Sequence, residues 1–142
     1  MTATDSNQKT IDAFHAKNGL GIPPWGDHVL LLTAKGAKSG QPHTTPLVNR
    51  RDADSYVVIA SKGGAPTDPT WFNNLKANPE VEVEVARDGG IAKFKAKARV
   101  IAGGPERDRL YNYLAEVWPA FLDYQKKTDR VIPVVVLEPS EA

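Results

Sequence analysis

The sequence predicts an α+β domain in which six mostly antiparallel strands close into a compact barrel with flanking helices. Three observations carry this. Residues 80–85, Glu80-Val81-Glu82-Val83-Glu84-Val85, alternate glutamate with valine, the period-two signature of a strand with one buried face. Residues 91–100 alternate again and put Lys93, Lys95, Lys97 and Arg99 on one side. Short apolar runs at 28–33, 55–60 and 132–137 read as strands, the first two buried. Six twisted antiparallel strands leave edges to protect, and closure into a small barrel protects them.

Taken in order, residues 8–18 place Ile11 and Phe14 at helical spacing, a short helix, and residues 19–25, GLGIPPW, connect it onward. The strand at 28–33 is followed by a turn-rich loop, AKGAKSGQP. Residues 43–50 and 55–60 are expected to pair around Arg51-Asp52-Ala53-Asp54. After an irregular stretch, residues 71–77 form a helix, capped by Thr70 or Asp68 and stopped by Asn78-Pro79. The two alternating strands then pair across Asp88-Gly89-Gly90, which sets glutamates opposite lysines; each such pair contributes roughly 0.2–1 kcal/mol and helps fix the register. Pro105 opens a helix to about residue 117, and Pro119 a second to about residue 128. Residues 132–137 are the last strand. Two regions follow: residues 1–27, a short helix and its connection, and residues 28–139, the barrel.

Composition narrows the function. The 142 residues suit one domain with a real core, and 41% hydrophobic and 25% charged residues are ordinary for a globular protein. A net charge of +1 does not steer the whole molecule toward nucleic acid, so a single-stranded nucleic-acid barrel is disfavoured. With no cysteine there is no disulfide, thiolate nucleophile or sulfur-ligated metal, which fits a cytoplasmic location. His15, His28 and His43 are too scattered to argue for a metal site, and the apolar runs are too short for an integral membrane segment.

Three constellations remain as candidate chemistry. Lys35, Lys38 and Lys62, with His43 and the glycines Gly36, Gly40, Gly63 and Gly64, gather positive charge around open backbone. Residues 29–64 hold five lysines and arginines against two aspartates. Such turns suit a phosphate or carboxylate, although lysine and glycine also populate ordinary exposed turns. The second constellation is SKGGAPTDPTW, residues 61–71. Pro66 and Pro69 restrict it, and Trp71 and Asn74 lie one helical turn apart. A planar ligand fits there, or Trp71 and Leu75 simply plug the barrel end. The third is Trp118, Phe121 and Tyr124, an oblique aromatic row that reads as core or as the lining of a cleft. No nucleophile elbow or Ser-His-Asp order appears. If the chain is an enzyme, a cofactor carries the reaction.

The motifs LLLTAKGAKSGQPHTTPL, ASKGGAPTDPTWFNNLKANPEVEVEV and YQKKTDRVIPVVVLEP resemble the deazaflavin-dependent nitroreductase family over about residues 28–139. The resemblance implies a split β-barrel related to flavin reductases and an oxidoreductase that uses coenzyme F420, an 8-hydroxy-5-deazaflavin with an anionic phosphate and polyglutamate tail. It implies coenzyme contacts at Lys38, Pro46, Ser61, Lys62, Gly63, Gly64, Trp71 and Asn74, with Lys35 and His43 at the anion site. Many members have arginine where this chain has Ala37 and His43. Tyrosines of the better-known nitroreductases correspond to Val48, Trp118 and Phe121, so only Tyr124 keeps its hydroxyl. These four form the implied acceptor wall, with Ser61 and Tyr124 as candidate catalytic groups. The wider, more apolar wall implies a flat hydrophobic acceptor, such as a conjugated enone or coumarin-like lactone, beside quinones and nitro compounds. An FMN-dependent oxidoreductase of the same fold and a non-catalytic deazaflavin carrier stay open as alternatives, as does the choice between monomer and homodimer.

Overall fold

The computed structural model describes residues 5–140. Four helices, α1 (Asp5–Ala16), α2 (Thr70–Ala77), α3 (Pro105–Ala115) and α4 (Ala120–Lys126), accompany seven strands. The strands are β1 (Val29–Lys35), β2 (Pro42–Val48), β3 (Arg50–Asp52), β4 (Ser55–Ile59), β5 (Glu80–Arg87), β6 (Gly90–Ile101) and β7 (Val134–Pro139). They form one antiparallel sheet in the order β2-β1-β5-β6-β7-β4-β3.

That order dictates the shape. The outermost strands, β2 and β3, are consecutive in the chain, with only Asn49 between them. In a flat sheet they would lie roughly 30 Å apart, six strand spacings, whereas one residue spans about 3.5 Å. The sheet therefore curls until its two edges meet at Asn49, whose N–H donates to His28 O (2.8 Å). The edges approach without pairing along their length. Pro42 and Pro46 lie in β2 and lack N–H donors, as an unpaired edge strand tolerates.

The expected hairpin between residues 43–50 and 55–60 is not what forms. β2 runs back along β1, Val29 opposite Val48 through Lys35 opposite Pro42, and only β3 turns at Ala53 to pair with β4. The chain breaks at Asn49, which is why one expected strand becomes two and six become seven. The β5–β6 register is as read: Glu80, Glu82 and Glu84 stand opposite Lys97, Lys95 and Lys93. Neither Thr70 nor Asp68 caps α2, whose N-cap is Pro69 with no side-chain bond.

Burial explains the sequence patterns. The barrel interior takes Leu30 and Leu32 from β1, Val58 from β4, Val81, Val83 and Val85 from β5, and Val135 and Leu137 from β7. The opposite faces of β4 and β7 (Val57, Ile59, Val134 and Val136) are covered by Leu110, Leu114 and Phe121 of α3 and α4. The opposite face of β1 (Val29 and Leu31) is covered by Ile11 and Phe14 of α1. Strands covered on both faces lose their alternation; β5, whose outer face carries the glutamates, keeps it.

Candidate active-site cleft

Where the sheet edges meet, the seam opens into a cleft of about 230 Å³. Pro46, Leu47 and Val48 of β2 form one side, and Ile59 at the end of β4 faces them. Trp118, Phe121 and Tyr124 close it from α4 and its approach, and Trp25, Val29 and Trp71 complete the apolar lining. Trp25 and Trp118 meet with ring centroids 6.2 Å apart.

The polar wall is the stretch after β4. Ser61 is right-handed helical (φ −80, ψ −38), Lys62 is left-handed (φ 49) and Gly63 is left-handed again (φ 64, ψ 18). A right-handed residue followed by a left-handed one turns successive N–H groups into a common concavity, a nest for anionic or electron-rich atoms. The next two N–H groups are used internally: Gly64 donates to Ser61 O (2.9 Å) and Ala65 to Lys62 O (3.1 Å). Ser61, Lys62 and Gly63 themselves line the cleft. The Lys62 ammonium donates to Thr67 Oγ1 (3.2 Å), which folds the lysine along its own loop.

The remaining anticipated residues lie elsewhere. Gly64 sits behind the wall (φ 88); a Cβ there would come within 2.7 Å of Tyr124 O, so this glycine lets the loop pack on α4. Asn74 is buried and its Oδ1 accepts from Ala37 N–H (3.0 Å), pinning the β1–β2 loop to α2. Lys38 is an exposed residue of that pinned loop, and His43 folds over Gly36. Lys35 lines a separate hollow with Glu82 and Lys95. The structure thus brings Pro46, Val48, Ser61, Lys62, Gly63, Trp71, Trp118, Phe121 and Tyr124 together and leaves Lys35, Lys38, His43, Gly64 and Asn74 outside the lining. Core and cleft lining are not exclusive for Trp71 and the aromatic row. Trp71 (8% exposed) and Phe121 (4%) belong to core clusters and also line the cleft.

Sequence reasoning missed Trp25, Val29, Leu47 and Ile59 as lining, and Arg130 as support. The Arg130 guanidinium lies beneath the polar wall and bonds Ala60 O (3.3 Å), Ser61 O (2.9 Å), Ala65 O (2.9 Å) and Asp68 Oδ1 (3.1 Å). A tryptophan after a Pro-Pro pair was one available signal for Trp25; Arg130 falls within the motif YQKKTDRVIPVVVLEP, but nothing local marked it as a support, because the partners of its guanidinium are 62 to 70 residues away. The opposite wall is braced by Tyr111, whose hydroxyl donates to Phe121 O. Burial pushes this phenol up to about 12, against a smaller opposing pull from Arg107.

The cleft thus has apolar surfaces on one side and the backbone beside Lys62 on the other. Residues 6–139 match the family described as F420H(2)-dependent quinone reductase. An F420H(2)-dependent quinone reductase of Mycobacterium tuberculosis (strain H37Rv) is 44% identical over 119 residues, 82% of this chain and 74% of that protein. The solved structure of an F420-H2 dependent reductase (FDR-A) superposes with a TM-score of 0.69 at 38% identity, covering 78% of this chain and 94% of that one. The haem storage protein HutZ of Vibrio cholerae shares the fold alone, with a TM-score of 0.64 at 15% identity over 96% of this chain and 92% of that one. With a matched span that takes in the whole barrel and both walls of its cleft, the chain belongs to the F420H(2)-dependent quinone reductase family, oxidoreductases of split-barrel fold whose cofactor is F420.

Proposed function

We propose that the seam cleft binds the deazaflavin ring against the Ser61–Gly63 backbone and presents it to a flat, hydrophobic quinone held under the aromatic wall. The single observation that supports this is the pairing of opposed surfaces in one cleft, a nest of backbone donors beside Lys62 and an apolar wall of Val48, Trp118 and Phe121. Bound in its reduced form, the coenzyme supplies a hydride.

The protein's own part is binding, orientation, exclusion of water and proton supply. Trp25 and Trp118 shield the mouth from solvent, which strengthens every electrostatic interaction inside. Tyr124 carries a hydroxyl on the acceptor side; its oxygen lies 3.4 Å from Trp118 Nε1, which donates to it and leaves the hydroxyl proton for an acceptor oxygen. Ser61 is the alternative donor. Lys38, on the loop pinned by Asn74, is assigned to the outer anionic tail, with Lys35 and His43 on the same side of the barrel. Because no tyrosine stands at 48, 118 or 121, conjugated enones and coumarin-like lactones are included as acceptors, and nitro compounds as poorer ones. A cytoplasmic location, inferred from the cysteine-free composition, belongs to the same proposal.

The test mixes the protein with pre-reduced coenzyme and a series of quinones and enones, and follows coenzyme absorbance. Quinone-dependent oxidation well above the protein-free rate is expected, together with tighter binding of the deazaflavin than of FMN. Binding without turnover on any acceptor would leave only a carrier, and preference for FMN would replace the cofactor.

A further inference from the structure

Arg130 lies outside the cleft lining, yet its side chain is only 16% exposed and its guanidinium bonds residues 60, 61, 65 and 68. Two of them fix a direction. The carbonyl of Ala60 shares a peptide unit with Ser61 N–H, and the carbonyl of Ser61 shares one with Lys62 N–H. In a trans peptide, C=O and N–H point opposite ways, and among the described residues the cis bond is Pro23-Pro24. Holding those carbonyls against a guanidinium on the rear of the wall therefore turns both N–H groups to the other side. A cation at the carbonyl end also polarises each amide and makes its N–H a stronger donor.

The support is rigid. Arg130 O accepts from Gln125 Nε2 (2.8 Å), while Gln125 Oε1 accepts from Arg107 (2.6 Å) and from Ile132 N–H (2.9 Å). Gln125 belongs to α4, which carries Phe121 and Tyr124, so one bracket locks both walls of the cleft. Asp68, partly exposed, is the counter-charge at 3.1 Å.

We infer that Arg130 is a positioning residue whose charge, balanced by Asp68, sets how strongly the Ser61–Lys62 amides stabilise negative charge on a bound electron-rich ring. This rests on the proposed deazaflavin site. It makes the Arg130–Asp68 pair an electrostatic control that touches neither coenzyme nor acceptor.

The experiment titrates the absorbance of the bound, oxidised coenzyme, whose 8-hydroxyl ionises, against pH and measures its Kd by fluorescence, with folding checked by circular dichroism. Arg130→Gln should weaken binding by roughly tenfold or more and raise the titration midpoint. Arg130→Lys keeps the charge and should restore the midpoint without restoring full affinity. Asp68→Asn, which removes the counter-charge and keeps an acceptor oxygen, should shift the midpoint the other way, downward, with affinity equal or tighter. A purely mechanical clamp gives weaker binding in all three with an unmoved midpoint, and that result overturns the inference. So does a midpoint that moves the same way in Arg130→Gln and Asp68→Asn. Should Arg130→Gln fail to fold, Asp68→Asn decides alone: a lowered midpoint supports the role, and an unmoved or raised one removes it. Failure of the unmodified protein to bind deazaflavin removes the proposed function, and the inference with it; normal binding with unresponsive variants removes the inference alone.

Discussion

Residues 35–43 and 61–69 read almost alike: each joins lysine to glycine, follows a buried strand and includes proline. In the folded protein they differ in kind. The 61–69 loop forms a wall of the cleft, holds left-handed residues at 62, 63 and 64, and is gripped from behind by Arg130. The 35–43 loop stays outside the lining and is tied to α2 through the Asn74 side chain. Loop composition supplies cationic, adaptable backbone in both cases. Distant anchors, Arg130 for one and Asn74 for the other, decide how each is held.

That contrast can be broken or sharpened experimentally. The largest effect is expected from matched glycine substitutions. Gly64→Ala adds a Cβ 2.7 Å from Tyr124 O at φ 88 and should cost about 2–5 kcal/mol in denaturant unfolding. Gly40→Ala, at φ 71 with open space around it, should cost about 1–2 kcal/mol. Equal losses would erase the distinction between the loops.

Next come the two lysines. Lys62→Ala should weaken coenzyme binding roughly ten- to a hundredfold. Lys38→Ala, exposed and outside the cleft, should weaken it by at most about fivefold, an effect that fades at high salt. Isothermal titration at two ionic strengths checks both, and a Lys38 effect that matches Lys62 and survives salt would put the main anion contact in the other loop.

A smaller effect is expected behind the opposite wall. Tyr111→Phe removes the hydroxyl that donates to Phe121 O and should cost about 1–2 kcal/mol. The sign of the pH dependence follows from the raised phenol. The unfolded chain releases this proton near 10 and the folded chain at about 12, so the contribution is complete below pH 10 and is lost as pH rises toward 12. Urea midpoints between pH 9 and pH 12 should fall more steeply for the native protein than for Tyr111→Phe. Parallel curves would show that this hydroxyl does not buttress α4.

Much of the barrel was legible because its signals are local. The alternation at 80–100 specifies two strands, their faces and their register without reference to anything else. The edge strand β2 was misassigned because its true partner is signalled by edge prolines rather than by its apolar pattern, and because Asn49 interrupts it without any composition change. In the cleft, Ser61, Lys62, Gly63 and Trp71 stood out through glycine and proline in one short stretch. Trp25, Val29, Leu47 and Ile59 did not, since apolar residues look the same whether they face a core or an opening.

By itself the sequence determined the period-two strands, the proline-opened helices and the glycine-containing cationic loops, because each depends on residues within a few positions of one another. Tertiary structure alone decided that β2 and β3 meet at Asn49, that this seam becomes the cleft, and that Arg130 supports one loop while Asn74 holds the other. Those outcomes depend on curling a seven-stranded sheet and on contacts between residues 37 to 70 positions apart, and no local pattern encodes which distant partner a side chain will reach.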